Sequence, residues 1–208
     1  AEKRLRDTPI DRDWIELRAK WETVVEATQI KGDSETDPAL SPQDRFADFE
    51  SYPHYISPNS IPWDPGEGDF VRSALRRGLE IEDQFGANPY RFGLIGSTDS
   101  HTGLPTAEEP NFWGKFPTDS TLESKTHSTN SIENFGWALS ASGLAAVWAE
   151  ENTREAILAA FKRREVYAST GPRIAVRVFG GTDFVRGDES SVDVAALRAR
   201  GVPMGGEL

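Results

Sequence analysis

A short apolar run that ends in small polar residues constrains this 208-residue chain more than any other feature. Residues 92–96 read FGLIG, and residues 97–103 read STDSHTG. An apolar run of this kind, followed by glycine and polar residues, is typical of a buried strand that presents side chains at its carboxyl end. On an extended chain, residues two positions apart point to the same side. Asp99 and His101 are therefore predicted to converge at the end of this strand.

A carboxylate and an imidazole that converge form a ligand pair for a divalent metal ion. Gly96 and Gly103 suit such a site, because glycine permits close backbone approach or a positive φ. A simpler alternative is that Asp99 caps a helix and His101 fills a turn. Catalytic metal sites usually take three protein ligands, so the pair needs at least one more.

A second predicted strand, over residues 23–30, supplies the best third candidate. Its β-branched residues favour a strand, and alternation places Glu26 and Thr28 on one face. A charged residue within such a strand, followed by the polar turn KGDSE, is a pattern of active sites built at strand ends. The alternative is an edge strand with a solvated Glu26. Asp33 and Glu35 are the next candidates for a third ligand.

The order of the predicted elements indicates an α/β fold. Helix, short loop and strand alternate along much of the chain. Helices are predicted over residues 13–21, 69–85, 131–142 and 152–164, with a weak helical pattern near 192–200, and strands over residues 23–30, 92–96, 144–148, 166–168 and 174–179. Two long irregular segments, residues 37–66 and 104–131, interrupt this order.

The clearest predicted helix covers residues 69–85. Asp69 is expected to cap its amino end, and Gly86 is expected to end it. Six of its residues fall near one predicted stripe: Phe70, Val71, Ala74, Leu75, Leu79 and Glu82.

Charge and composition exclude several classes of function. The chain carries 23 basic and 34 acidic residues, a net charge of −11, and no basic stripe is evident, so nucleic acid is not an expected partner. It has no cysteine, which excludes disulfides, cysteine nucleophiles and thiolate zinc sites. No apolar run approaches the roughly 20 residues of a membrane span, and no signal peptide is evident at residues 1–13. These features leave the localisation open between periplasm and cytoplasm.

Four stretches together resemble a known family: VVEATQIKGDSETDPALSP, FGLIGSTDSHTG, ASGLAAVWAEENTREAILAAFKRREVYASTGPRIAVRVFGG and GVPMGGEL. They resemble a large bacterial family of uncharacterised proteins that is related to the polymerase and histidinol phosphatase (PHP) metallohydrolases. The resemblance covers about residues 10–208 and implies a distorted β/α barrel with metal ions at the carboxyl ends of its strands. It matches Asp99 and His101 to the last metal-ligand pair of such barrels. It also implies that Glu26, Gln29 and Lys31 lie on a neighbouring strand end that faces the site.

The same resemblance implies a domain organisation. Residues 1–170 would form the C-terminal part of the barrel, and residues 171–208 a short β-rich segment. The His-x-His ligands of PHP relatives cannot be placed in this sequence, so the chain is expected to be the C-terminal half of a longer protein. An incomplete barrel would expose sheet edges, and self-association is therefore one expectation.

The function implied by the resemblance is metal-dependent hydrolysis of a small molecule, most simply a phosphorylated one. A divalent ion (Zn, Mn or Fe) would bind Asp99 and His101, with Glu26 and Lys31 as the catalytic residues. Lys31 would neutralise charge on a bound oxyanion, although a surface lysine in a turn is an equal alternative. The competing function is an inactive α/β ligand-binding domain with a structural metal ion or none.

Overall fold

The computed structural model of the protein describes residues 8–29, 32–49, 51, 61–62, 64–101 and 143–208. These residues form helices and three small sheets, which confirms the α/β class. Over the same residues, no helix is both long enough and apolar enough to span a bilayer. The elements are α1 (Arg12–Trp21), β1 (Val24–Gln29), β2 (Gly32–Asp33), a 3₁₀ turn (Glu67–Asp69), α2 (Val71–Phe85), β3 (Gly93–Gly96), β4 (Leu144–Val147), α3 (Arg154–Arg163), β5 (Val166–Ser169), β6 (Phe179–Gly180), a second 3₁₀ turn (Asp188–Ser190), α4 (Val194–Arg200) and β7 (Val202–Pro203).

The strand β1 is the central strand of the first sheet, whose order is β2-β1-β3. β1 pairs in parallel with β3, with Val24 opposite Gly93, and antiparallel with β2. The suggestion that β1 is an edge strand is therefore wrong. The other two sheets are the antiparallel pairs β4–β5 and β6–β7. The strands of the described ranges do not close into a barrel, and the barrel and its boundary at residue 170 stay predictions.

Glycines let β3 lie directly against the β4–β5 pair. A Cβ atom on Gly96 would lie 2.8 Å from the carbonyl oxygen of Leu144, and one on Gly93 would lie 2.5 Å from a methyl carbon of Val166. Both distances are shorter than ordinary van der Waals contact, so only glycine fits at these positions. The predicted close approach at Gly96 is confirmed, and Gly103 lies outside the described residues.

Helix α2 begins two residues later than predicted. Asp69 does not cap it, because its carboxylate accepts a hydrogen bond from the Gly66 N–H (2.9 Å) in the preceding 3₁₀ turn. Gly86 ends the helix as predicted, with a φ of 70° and its N–H donating to the Glu82 carbonyl. The sequence thus located the end of α2 correctly and placed its beginning two residues early.

The buried face of α2 agrees with the predicted stripe at Phe70 and Val71 and differs from it further along the helix. Leu75 and Leu79 are 38% and 65% exposed, whereas Val71, Gly78 and Ile81 are buried. Gly78 is buried because the Asn88 side chain occupies the space that a Cβ atom would need.

The strand predicted over residues 174–179 is mostly absent. Only Phe179 lies in a strand, β6, where it pairs with Pro203 of β7. Before Phe179, backbone carbonyls of this segment accept hydrogen bonds from side chains instead of from a neighbouring strand. The Trp148 indole N–H donates to the Val176 carbonyl (2.8 Å), and the Tyr167 hydroxyl donates to the Ile174 carbonyl (2.7 Å). The helix suggested near residues 192–200 is present as α4, and the helix predicted over residues 131–142 lies outside the described residues.

Candidate functional site

A β-bulge in β1 sets the direction of Glu26. Glu26 pairs with Ile95 and Thr28 pairs with Gly96, so Ala27 is an extra residue in β1. Ala27 and Thr28 are both buried, and Glu26 is exposed. The prediction that Glu26 and Thr28 share one face is therefore wrong, because the bulge interrupts the alternation between them.

Ser97 links the carboxyl ends of β1 and β3. Its hydroxyl donates a 2.5 Å hydrogen bond to the Glu26 carboxylate, and its N–H donates to the Thr28 carbonyl (3.0 Å). Its carbonyl accepts a hydrogen bond from the Gly143 N–H (2.9 Å), just before β4. Ser97 thus holds Glu26 at the strand ends. Sequence reasoning did not single out Ser97, although a small hydroxyl residue directly after a buried strand was a usable signal.

Asp99 and His101 do converge, but on a turn instead of an extended strand. The Nε2 atom of His101 lies 3.2 Å from Oδ1 of Asp99. β3 already ends at Gly96, and Asp99 has a positive φ of 45°, in the left-handed region that aspartate tolerates better than most residues. The Ser100 N–H donates to the Thr98 hydroxyl (3.3 Å) within the same turn. The side chains of His101 and Asp99 are 53% and 23% exposed, so a solute can reach both.

The separation of these two donor atoms fits a shared metal ion. Nitrogen and oxygen ligands about 2.0–2.2 Å from one ion lie about 2.9–3.4 Å apart, from octahedral to tetrahedral coordination. The observed 3.2 Å falls in this range, and it also fits a direct hydrogen bond between imidazole and carboxylate. A neutral imidazole with a carboxylate is a donor set that first-row divalent ions accept. The described residues contain no group of three histidines or carboxylates that could hold an ion, so no third side chain of these types joins the pair in those ranges.

The other predicted site residues lie apart from this pair. Glu26 binds the Ser97 hydroxyl, and Glu35 forms an ion pair with Arg72 of α2 (2.5 Å). Asp33 accepts a hydrogen bond from the Glu35 N–H (2.6 Å). None of these carboxylates completes a group of three in the described part of the chain. Lys31 lies outside it.

A cleft of about 670 Å³ lies between β1, the amino end of β3, β5 and residues 46–49. Its walls are largely apolar, with Ala27, Val166 and Phe49 among them, and its polar side chains include Asp33 and Ser169. Neither Glu26 nor the Asp99–His101 pair lines it. The cleft is therefore a second candidate site, which no sequence motif indicated.

Thr28, which also lines the cleft, is expected to tolerate loss of its hydroxyl. Its Oγ1 atom is buried and has no hydrogen-bond partner among the described residues, so the protein bears the cost of its desolvation. Thr28→Val should raise the free energy of unfolding by about 1 kcal/mol in urea denaturation, helped by the strand preference of valine. Thr36→Val is the matched control, because the equally buried Thr36 hydroxyl bonds to Ser41 (2.7 Å) and its loss should destabilise the protein. A destabilised Thr28→Val variant would show that the hydroxyl has a partner after all.

Fold and site together describe an α/β protein with a carboxylate–imidazole pair at a strand end. Over residues 1–208 the chain matches the family described as protein of unknown function (DUF3604), and it belongs to that family. This confirms the predicted membership of an uncharacterised family, whereas the relation to PHP metallohydrolases stays a prediction. The chain matches none of the curated proteins and none of the solved structures with which it was compared.

Proposed function

We propose that the protein is a metal-dependent hydrolase, and more specifically a phosphoesterase. The observation that carries the proposal is the 3.2 Å contact between the His101 imidazole and the Asp99 carboxylate, directly after β3. The end of a parallel strand is where α/β proteins commonly place catalytic groups. The sequence resemblance to PHP metallohydrolases points to the same two residues.

In this proposal Asp99 and His101 hold a divalent ion through a carboxylate oxygen and a neutral ring nitrogen. Such an ion supplies an activated water molecule and polarises the bond to be cleaved. Glu26, whose direction is fixed by the Ser97 hydroxyl, accepts a proton or orients a water at the neighbouring strand end. Lys31 is proposed to offset negative charge on a bound oxyanion. The distorted β/α barrel remains the proposed architecture around these residues.

The second candidate is a catalytically inactive ligand-binding domain. The cleft favours it, because its volume of about 670 Å³ falls within the range of small-molecule sites, about 300–1,000 Å³. In this case a metal ion at Asp99 and His101 would be structural, or no ion would bind there.

Metal titration tests the first candidate. The purified protein, stripped with a chelator, is titrated with Mn²⁺ or Zn²⁺ by calorimetry, and its hydrolysis of p-nitrophenyl phosphate is followed with each ion. Asp99→Asn should weaken ion binding at least about 100-fold, because the substitution removes a charged ligand, and turnover should fall with it. Asp83→Asn, on the exposed side of α2, is the control and should change neither quantity.

The outcomes separate the two candidates. Ion binding that depends on Asp99, together with ion-dependent turnover, supports the hydrolase. Ion binding without turnover of phosphate monoesters or diesters favours a structural metal ion. Binding and turnover that are unchanged in Asp99→Asn would remove the basis of the proposal.

A further inference from the structure

The cleft between β1 and β5 combines an apolar body with an acidic end. Phe46 and Phe49 line it with 75% and 49% of their surface exposed, and the buried Val166 of β5 also belongs to the lining. Asp33 and Glu35 are the acidic side chains of the lining. Exposed aromatic rings beside carboxylates are features that bind an apolar group attached to a cation.

An ion-pair network orders the aromatic wall and occupies Glu35. Arg72 of α2 binds both the Glu35 carboxylate (2.5 Å) and the Asp44 carboxylate (2.9 Å). Asp44 also accepts a hydrogen bond from the Phe46 N–H (3.0 Å), and the Phe49 N–H donates to the Phe46 carbonyl (3.1 Å). The turn that carries both phenylalanines is therefore tied to the acidic side of the cleft.

Asp33 is the carboxylate that this network leaves without a cation. In the described part of the chain it accepts one hydrogen bond, from the Glu35 N–H, and forms no ion pair. Burial is the main cause that raises the pKa of Asp33 to about 6, and the nearby Glu35 charge adds to this shift. The Glu35 N–H bond and the Arg72 charge act in the opposite direction. A desolvated carboxylate that lines a cleft and lacks a cation is suited to binding one from a ligand.

The arginine that lines the same cleft is already engaged. Arg164 donates to the Arg91 carbonyl (2.7 Å) and forms an ion pair with Glu207 (3.3 Å). Among the described residues of the cleft, an anionic ligand would therefore meet a carboxylate without an ion pair and a guanidinium that is already bound.

We infer that this cleft binds a small amphipathic cation, an amine with an aromatic or other apolar body. The ammonium group pairs with Asp33, and the apolar body lies against Phe46, Phe49 and the valines of the lining. This site is separate from the Asp99–His101 pair and does not depend on the proposed hydrolase function.

Phenethylammonium, 3-phenylpropionate and 2-phenylethanol test the inference, because they share a phenyl body and differ in charge. Ligand-observed NMR with the purified protein should show phenethylammonium binding with a Kd on the order of 1 mM, as expected for so small a molecule. Asp33→Asn should weaken this binding about tenfold. Asp48→Asn, an exposed carboxylate on the same segment as the phenylalanines, is the matched control and should bind like the wild type.

The pH dependence of the wild type gives a second test that needs no variant. The amine stays protonated between pH 5 and 8, whereas the pKa of Asp33 is about 6. As the pH increases, the affinity for the amine should therefore rise by up to tenfold per pH unit below pH 6 and become constant above pH 7. In the part of the chain that the structure describes, the titratable or charged groups around Asp33 are Glu35 on its own segment, Arg72 on α2, Asp37 and Asp69 around a small adjoining cavity, and Arg164 and Tyr167 along the cleft.

Three results would overturn the inference: equal or tighter binding of 3-phenylpropionate, an affinity for phenethylammonium that does not change with pH, and no detectable binding of the amine. Asp99→Asn should leave amine binding unchanged. Failure of the amine site and failure of the metal site are therefore distinguishable.

Discussion

Replacing Arg198 by alanine is expected to lower the free energy of unfolding by about 3 kcal/mol. Arg198 lies on α4 and donates 2.8 Å hydrogen bonds to both carboxylate oxygens of Glu165. The Glu165 side chain is only 3% exposed, and its other cation, Arg163, is more distant at 3.4 Å. Without Arg198, a buried charge would lose its main partner, and the link between α4 and the start of β5 would be lost. Urea denaturation measures the loss as a lower midpoint at unchanged slope.

The control for this prediction is an exposed ion pair. Arg12 and Glu16 on α1 are 64% and 56% exposed, so Arg12→Ala should leave the urea midpoint close to that of the wild type. The double variant Glu165→Leu with Arg198→Leu should recover at least about half of the loss, because it leaves no unpaired charge in the interior. If Arg198→Ala behaved like Arg12→Ala, the contact between α4 and Glu165 would contribute nothing measurable.

The local pattern of the sequence was sufficient to find Asp99 and His101 but not to explain how they meet. The apolar run and its glycines predict β3, and β3 is present over Gly93–Gly96. The convergence was expected from an extended chain, whereas the positive φ of Asp99 produces it in a turn. A left-handed aspartate leaves no clear signal in a single sequence, since asparagine, glycine and aspartate all occur in such turns.

Contacts between distant parts of the chain could not be predicted from the sequence alone. The hydrogen bond from Ser97 to Glu26 joins residues 71 positions apart. The bulge at Ala27 depends on how β1 pairs with β3, so the simple alternation of β1 gave the wrong face for Thr28. The cleft at Asp33 is lined by residues as far apart in the sequence as Ala27 and Gly205, and no single segment of the lining carries a motif.

Helix α2 shows the same limit within one element. The helix ends at Gly86 because the backbone there has a positive φ, which favours glycine. This requirement is local, and the end of the helix was predicted correctly. Its buried face depends on what packs against it, and there the small Gly78 is buried while the larger Leu79 is 65% exposed. Periodicity predicted the helix but could not identify the neighbour that covers it.

Gly96→Ala is expected to destabilise the protein by about 3 kcal/mol, at the upper end of the range for overpacking. The added methyl carbon would lie 2.8 Å from the Leu144 carbonyl oxygen and 2.9 Å from its nitrogen. These are backbone atoms that cannot rotate away, so β4 would have to move from β3. Because Ser97 follows directly and binds both Glu26 and the Gly143 N–H, the variant should also weaken any ion binding at Asp99 and His101.

Gly68→Ala isolates the effect of the contact from the effect of losing a glycine. Gly68 lies in a 3₁₀ turn, and a Cβ atom there would meet no atom within 4 Å. This control should change the free energy of unfolding by less than about 1 kcal/mol, the usual size of the intrinsic glycine effect. Thermal and urea unfolding of the two variants, with Mn²⁺ titration of each, gives both readouts. A Gly96→Ala variant as stable as Gly68→Ala would mean that β3 and β4 do not approach as closely as the structure describes.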